Sequence, residues 1–262
     1  MDGRVDPARI AREAKALCDP DVCCFQEVAV DYPDLGVDHD QPALLGALFP
    51  GYSAHFAAAV DTHDDKGGRK RFGNLLLSRL PVRQVFRHSL PWPAQSSVPS
   101  MPRVALEAVI DAPWGLVGVS TTHLEYYSDA QRAAQVARLC ELKAEAVAHS
   151  GSPSAGKDRD SGPFTPYPRP ASSILTGDFN MQAEDPLVAK LLGQWQDAWR
   201  IANPREPQPA TFGLYDKAFA SEPYCCDFVL VSADLAPRIA SVRVDRETRA
   251  SDHQPVIVEF RR

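Results

Sequence analysis

No apolar run in this sequence of 262 residues approaches the roughly 18 residues that a membrane-spanning helix needs. The opening stretch, MDGRVDPARIAREAK, lacks the apolar core of a secretory signal. Cysteine is sparse, and none of the six is spaced as C-x-x-C, so no zinc-ribbon or dithiol motif is written here. Positive charge is short as well. Lys and Arg number 28 against 34 Asp and Glu, a formal net charge of −6. Proteins that bind nucleic acid by blanket phosphate neutralisation are usually basic. Only KGGRKR, Lys66 to Arg71, offers a local basic patch, with a solvated loop as its plainer reading. The balance weighs against a non-specific nuclease.

What is present is ordinary for a globular protein, with 44% hydrophobic and 24% charged residues. The length suits one large domain, taken as residues 1–262. Two adjacent cysteine pairs, Cys23-Cys24 and Cys225-Cys226, sit inside apolar runs. They read as reduced thiols of a cytoplasmic protein, one of each pair facing each side of a strand. Helices are expected over Pro7–Leu17, Gln41–Phe49, Asp129–Ala148 and Pro186–Leu192. Strands are expected at VCCFQEV, ending in Gln26-Glu27, and at NLLLSR. Further strands are expected at Tyr52–Ala58, Val82–Leu90, Val104–Ile110, Leu116–Thr121, CCDFVLVS, IASVRVDR and the closing PVIVEF. Asp61 to Arg71 reads as a polar loop. The Gly-, Ser- and Pro-rich residues 150–171 read as a mobile loop.

One stretch asks for more than a turn. In SSILTGDFN the β-formers Ile174, Leu175 and Thr176 lead to Gly177, where the chain is expected to bend. Asp178 and Asn180 follow, with Phe179 turned to the opposite side. Other polar residues also fall at expected strand ends: Glu27, Asn74, Arg103, His123, Asp227, Asp252 and His253. Open α/β architectures gather ligands at such ends. Carboxylates with asparagine are hard oxygen ligands suited to Mg²⁺ or Mn²⁺. Histidine and arginine can stabilise charge on a phosphoryl group, and an aspartate can deprotonate water.

CFQEV, GNLLLSR, TTHL, GDFN, CDFVLVS and SDHQPV occur in that order, and the chain resembles the endonuclease/exonuclease/phosphatase superfamily over nearly its whole length. The resemblance implies a DNase I-like, four-layer α/β sandwich of two packed mixed sheets with outer helices. It also implies roles. Glu27 would be the principal metal carboxylate and Asp252 a second one. Asp178 would position or deprotonate the attacking water, and Asn180 would contact the phosphate or support the metal. His253 would stabilise charge on the scissile phosphate, Asp227 would hydrogen-bond it, fix its orientation and favour its protonated form, and His123 would be a second phosphate-side group. Asn74 and Arg103 would support the site.

The expected activity is hydrolysis of a phosphoester by a monomer using Mg²⁺ or Mn²⁺. The substrate would be a small molecule or lipid headgroup; a DNA endonuclease, exonuclease or repair hydrolase is the alternative, and a non-catalytic binding module the third reading. The superfamily usually opens with a strand carrying an asparagine, whereas this chain goes from MDGRVD directly to a helix. A longer native form supplying that strand is therefore expected.

Overall fold

The computed structural model describes residues 6–64, 67–152, 167–215 and 221–261. Helix α1 (Pro7–Leu17) starts where the Asp6 side chain accepts a hydrogen bond from the Arg9 backbone N–H, with Pro7 in its first turn. Asp40 caps α2 (Gln41–Leu48) in the same way. Both helices cover one face of a four-stranded sheet. Its order is β2 (Val37–Asp40), β1 (Val22–Tyr32), β4 (Arg69–Ser78), β3 (Ser53–His63). Every pairing in it is antiparallel, so it is not the mixed sheet expected for this half. Short hairpin connections favour antiparallel neighbours, and a parallel pair needs a long crossover.

The second sheet is mixed. Its order is β5 (Val82–Ser89), β6 (Val104–Ala112), β7 (Gly115–His123), β8 (Ser173–Asp178), β10 (Asp227–Val231), β9 (Gln196–Asp197). Its one parallel pair is β7 with β8, and α3 (Asp129–Gly151) lies between those strands in sequence. Helix α4 (Pro186–Leu192) joins α3 on the outer face. Helix α5 (Ala198–Ala202) packs with β11 (Ile239–Val244) and β12 (Val256–Phe260) at the edge of the central core. Those two strands pair with each other.

Alternation along β4 explains the layering. Leu75 and Leu77 pack toward Ala11, Leu45 and Phe49 of the helical layer, while Leu76 packs toward Leu106 and Ala108 of the second sheet. All three leucines are fully buried, and each contributes about 1.5–3 kcal/mol relative to an exposed side chain. On the far side Phe179, Phe228 and Leu175 pack against Val136 and Leu139. The layers therefore run helix, sheet, sheet, helix: a four-layer α/β sandwich. The cysteines alternate with them, Cys23 toward the outer helices and Cys24 toward the intersheet core. All six cysteines are free.

Several local expectations change. β1 does not end at Glu27. It continues to Tyr32 through a bulge between Phe25 and Val28 that leaves Glu27 at φ 58°, and such a bulge re-aims one side chain without ending the strand. The polar loop shrinks too, because β3 runs to His63 and β4 begins at Arg69. In the basic run, Lys66 lies outside the described residues. Arg69 pairs with Asp61 at 2.7 Å, Lys70 with Asp34 at 2.8 Å and Arg71 with Asp40 at 3.8 Å. Asp61 across the β3–β4 hairpin, and Asp34 and Asp40 from the segment after β1, thus each pair with one of the three described cations of this run. The cysteine pair Cys225-Cys226 precedes β10, which begins at Asp227. Of the loop at 150–171, residues 153–166 lie outside the described residues.

Gly177 corrects its own reading. It does not bend the chain at a strand end; it is a paired residue of β8, facing Phe228 on one side and Thr122 on the other. Glycine is needed because φ is +143° and a Cβ there would lie 1.9 Å from the Thr122 carbonyl oxygen. Gly177→Ala is expected to lower unfolding stability by about 3–5 kcal/mol, read as a fall in the urea midpoint at unchanged slope. A midpoint within error of wild type would show that the β7–β8 contact yields freely.

Candidate active site

Three strands deliver the central groups to one sheet edge. In the β7–β8 register His123 stands opposite Asp178, and in the β8–β10 register Asp178 stands opposite Asp227. His123 is thus the last residue of β7, which runs two residues past the expected end at Thr121. His253 arrives from the turn before β12, bridged to Phe212 and tilted against its ring at 4.7 Å between centroids. Glu27 comes from the other sheet at its bulge. The two sheets are tied beside the site, where Gln26 Nε2 donates to Thr121 Oγ1 at 2.7 Å and Asn74 Nδ2 donates to the Val104 carbonyl at 2.9 Å.

Asp178 is buried, and its Oδ1 accepts the Asn180 backbone N–H at 2.8 Å. Asn180 takes φ 51°, a left-handed conformation that asparagine tolerates, and donates from Nδ2 to the Leu124 carbonyl at 2.8 Å. Phe179 between them is fully buried against Phe228, so the apolar residue anchors the turn that presents its polar neighbours. Asp178 Oδ2 lies 3.4 Å from His123 Nε2 and 3.9 Å from His253 Nε2. His253 Nδ1 lies 2.9 Å from Asp227 Oδ2, which also accepts the Thr211 hydroxyl at 2.6 Å.

These contacts set the protonation pattern. Burial pushes the Asp178 carboxyl up to about 7, helped by the Asp227 charge and opposed by His253. Burial alone would lower His253, but the Asp227 charge and hydrogen bond, with Asp178 and Asp252, override it and push the imidazole up to about 10. Burial holds His123 well below the ordinary histidine range, and the positive charges of Arg103 and His253 add to the effect. One histidine is therefore cationic and the other neutral at neutral pH. Next to them is a carboxyl poised near neutrality, an arrangement able to accept a proton while donating hydrogen bonds to an anion.

Arg103 is buried and pairs with the fully buried Glu125, Nε to Oε2 at 3.4 Å. Its Nη1 is buried without a hydrogen-bond partner. Asn74 stands apart from the groups that touch one another; it holds the backbone of Val104, next to Arg103. Glu125 and Thr211 escaped the sequence reading. Both are buried polar residues that fix a site side chain, and nothing in HLEYY or PQPATFG marks them.

Glu27 and Asp252 test the fit of a divalent cation. The Glu27 carboxyl is pushed up, first by desolvation in the cleft and then by the Asp252 charge, although 58% of its side chain remains exposed. Its nearest cationic-capable neighbour is His123 Nδ1 at 3.8 Å, a buried nitrogen with no hydrogen-bond partner. The Asp252 carboxylate is bonded only by the Ser251 hydroxyl among the described residues. The two carboxylates feel each other's charge, and among the described residues neither forms an ion pair with an Arg or Lys; they offer hard oxygen donors of the kind that suits Mg²⁺ or Mn²⁺. Beside Asn180 opens a cleft of about 450 Å³ lined by Met181, Gln182, Glu184, Asp185 and Tyr224.

The sequence profile of the Endonuclease/Exonuclease/phosphatase family matches residues 3–253. A comparison with curated proteins gives no match. Among solved structures, an endonuclease/exonuclease/phosphatase from Beutenbergia cavernae DSM 12333 superposes with a TM-score of 0.72 at 24% identity, covering 99% of this chain and 67% of that one. A mannosyl-6-phosphatase from Bacteroides thetaiotaomicron gives 0.63 at 17% identity, over 97% of this chain and 90% of the other. A 3'-5' exonuclease from Neisseria meningitidis gives 0.61 at 21% identity, over 97% and 95%. At these identities the likenesses establish the fold.

Proposed function

The chain belongs to the endonuclease/exonuclease/phosphatase family, and from that premise we propose that it is a divalent-metal-dependent hydrolase of a compact phosphoester. The observation that carries this reading is the Asp178 carboxyl, within 4 Å of both a neutral and a cationic histidine. Asp178 takes a proton from the attacking water. His253, kept protonated and oriented by Asp227, donates to a non-bridging phosphate oxygen and balances the charge that grows there. Neutral His123 lies 3.4 Å from the Asp178 carboxyl, and the positive charge of Arg103 acts on Asp178 and Glu27. The turn through Asn180 holds Asp178 in place and leaves the Asn180 amide oxygen for substrate or metal contact. Glu27 and Asp252 would hold Mg²⁺ or Mn²⁺, which when bound supplies Lewis-acid neutralisation of the phosphoryl oxygens.

The cleft beside Asn180 supports a small substrate over a nucleic-acid strand. Its wall carries Glu184 and Asp185, which repel a polyanionic backbone yet can accept hydrogen bonds from hydroxyls. The paired state of Arg69, Lys70 and Arg71 supports the same choice. One observation favours a nuclease: Tyr126 and Tyr127 are exposed at the site rim, where rings can stack on bases. No helix among the described residues is long and apolar enough to cross a membrane. Six free thiols support a reducing compartment such as the cytoplasm.

The test is a substrate panel with Mg²⁺ and with Mn²⁺: sugar phosphates, inositol phosphates, sphingomyelin, bis-p-nitrophenyl phosphate, and nicked, abasic and single-stranded DNA. Turnover of a small phosphoester that EDTA abolishes is the expected result. Faster release from DNA than from any small ester would transfer the assignment to the nuclease reading. No turnover of any substrate, with no Mn²⁺ bound in equilibrium dialysis, would leave a binding module.

A further inference from the structure

The fit of hard oxygen donors leaves one atom of the site unexplained. Cys226 is 1% exposed, yet its sulfur lies against the catalytic cluster, 3.5 Å from Asp227 Oδ2 and 3.9 Å from His253 Nδ1. A thiol is a poor ligand for Mg²⁺ and contributes nothing to the chemistry proposed above. It is a strong ligand for soft and borderline cations. Asp178, Cys226 and His253 each offer one ligand atom, and the three atoms lie within 4.8 Å of one another.

We propose that Asp178, Cys226 and His253 form a second cation site, selective for Zn²⁺ or Cd²⁺ over Mg²⁺, whose occupation shuts the enzyme off. Tetrahedral zinc with Zn–S about 2.3 Å and Zn–N and Zn–O about 2.0–2.2 Å spaces its ligand atoms about 3.3–3.8 Å apart. The observed separations need only a modest side-chain closure to reach that spacing. As the metal binds, the thiol proton of Cys226, the proton on the ligating nitrogen of the cationic His253 and any proton held by Asp178 leave to solvent. The ion then holds the Asp178 oxygen and the His253 nitrogen that hydrolysis uses. The site is distinct from Glu27 and Asp252 both in residues and in donor softness. The two adjacent cysteines separate cleanly: Cys225 packs toward Met181, Trp195 and Phe228 on the other side of the chain, while Cys226 packs with Phe212 beneath His253.

Inhibition rests on the hydrolase reading, whereas metal binding does not, so the experiment reads both. Zn²⁺ is titrated into Mg²⁺-supported hydrolysis by wild type, Cys225→Ala and Cys226→Ala, each scaled to its own uninhibited rate. In parallel, Co²⁺ and Cd²⁺ are added without substrate and thiolate-to-metal charge-transfer absorption is recorded. Wild type and Cys225→Ala should be inhibited alike and show the band. Cys226→Ala should need at least about tenfold more Zn²⁺, the scale of affinity lost with a metal-site partner, and should lack the band. Cys226→Ser serves where the alanine variant fails to fold. A charge-transfer band that survives removal of Cys226, or equal inhibition of wild type and Cys226→Ala, overturns the proposal. Should no substrate be turned over, the absorption titration still decides whether the site exists.

Discussion

Asp178→Asn is expected to lower kcat by about a thousandfold, within the 10²–10⁴ range of a lost general base, with KM changed only a few-fold. Asparagine is isosteric and its amide oxygen can still accept the Asn180 backbone N–H that Asp178 Oδ1 accepts now. The turn, Phe179 in the core and the cleft beside Asn180 should therefore persist. What disappears is the proton acceptor. The same substitution should hold or raise the thermal midpoint. An aspartate whose carboxyl is pushed up to about 7 by burial and by Asp227 is one whose ionised form the fold disfavours, and a neutral amide relieves that cost. The pair of readings distinguishes catalysis from misfolding: activity falls while stability does not. A variant that kept near-wild-type kcat on the best substrate of the panel would remove Asp178 from the role of base.

How much of this was legible in the sequence depends on where each residue's reason lies. The layers were legible, because their cause is local. Alternating apolar residues such as Leu75, Leu76 and Leu77 fix two buried faces, and Asp6-Pro7 and Asp185-Pro186 announce helix starts. The candidate site was legible as a set of residue types, but its geometry was not. Glu27 reads as a strand end, since nothing in FQEVAV marks a bulge, and only pairing with β4 shows that the strand resumes. Gly177 reads as a turn residue because glycine usually is one, whereas the cause here is the Thr122 carbonyl packed against it from a strand about fifty residues earlier. The basic run reads as a patch because its partners Asp34, Asp40 and Asp61 come from other segments. Thr211, Glu125 and Cys226 gain meaning only from what folding places beside them, Asp227, Arg103 and His253.

Asp227→Asn should lose activity in a pH-dependent way, and that dependence is its signature. His253 stands at about 10 because the Asp227 charge and hydrogen bond, with Asp178 and Asp252, outweigh burial. A raised histidine is fully protonated well below its folded value and loses its proton as pH rises through it. The wild-type profile of kcat/KM should therefore be bell-shaped, with an alkaline limb near 10 from His253. Its acid limb should lie at about 7 or lower, because a cation at Glu27 and Asp252 pulls the Asp178 carboxyl down. These limbs belong to the coupled cluster more than to single residues. Without the Asp227 charge, the alkaline limb should move toward the ordinary histidine value of about 6.5, so at pH 8.5 only about 1% of His253 stays protonated. The variant should then run about a hundredfold below wild type at pH 8.5 and recover most of that deficit by pH 6. His253→Ala should lose activity at every pH, since it has no proton to regain. The same sign governs stability. The contribution of the His253–Asp227 contact is fully present below about 6.5 and fades as pH rises through about 10, so wild type and Asp227→Asn should converge in thermal midpoint at high pH. A deficit constant from pH 6 to 9 would mean that Asp227 only positions the ring, and the cationic state of His253 would drop out of the mechanism.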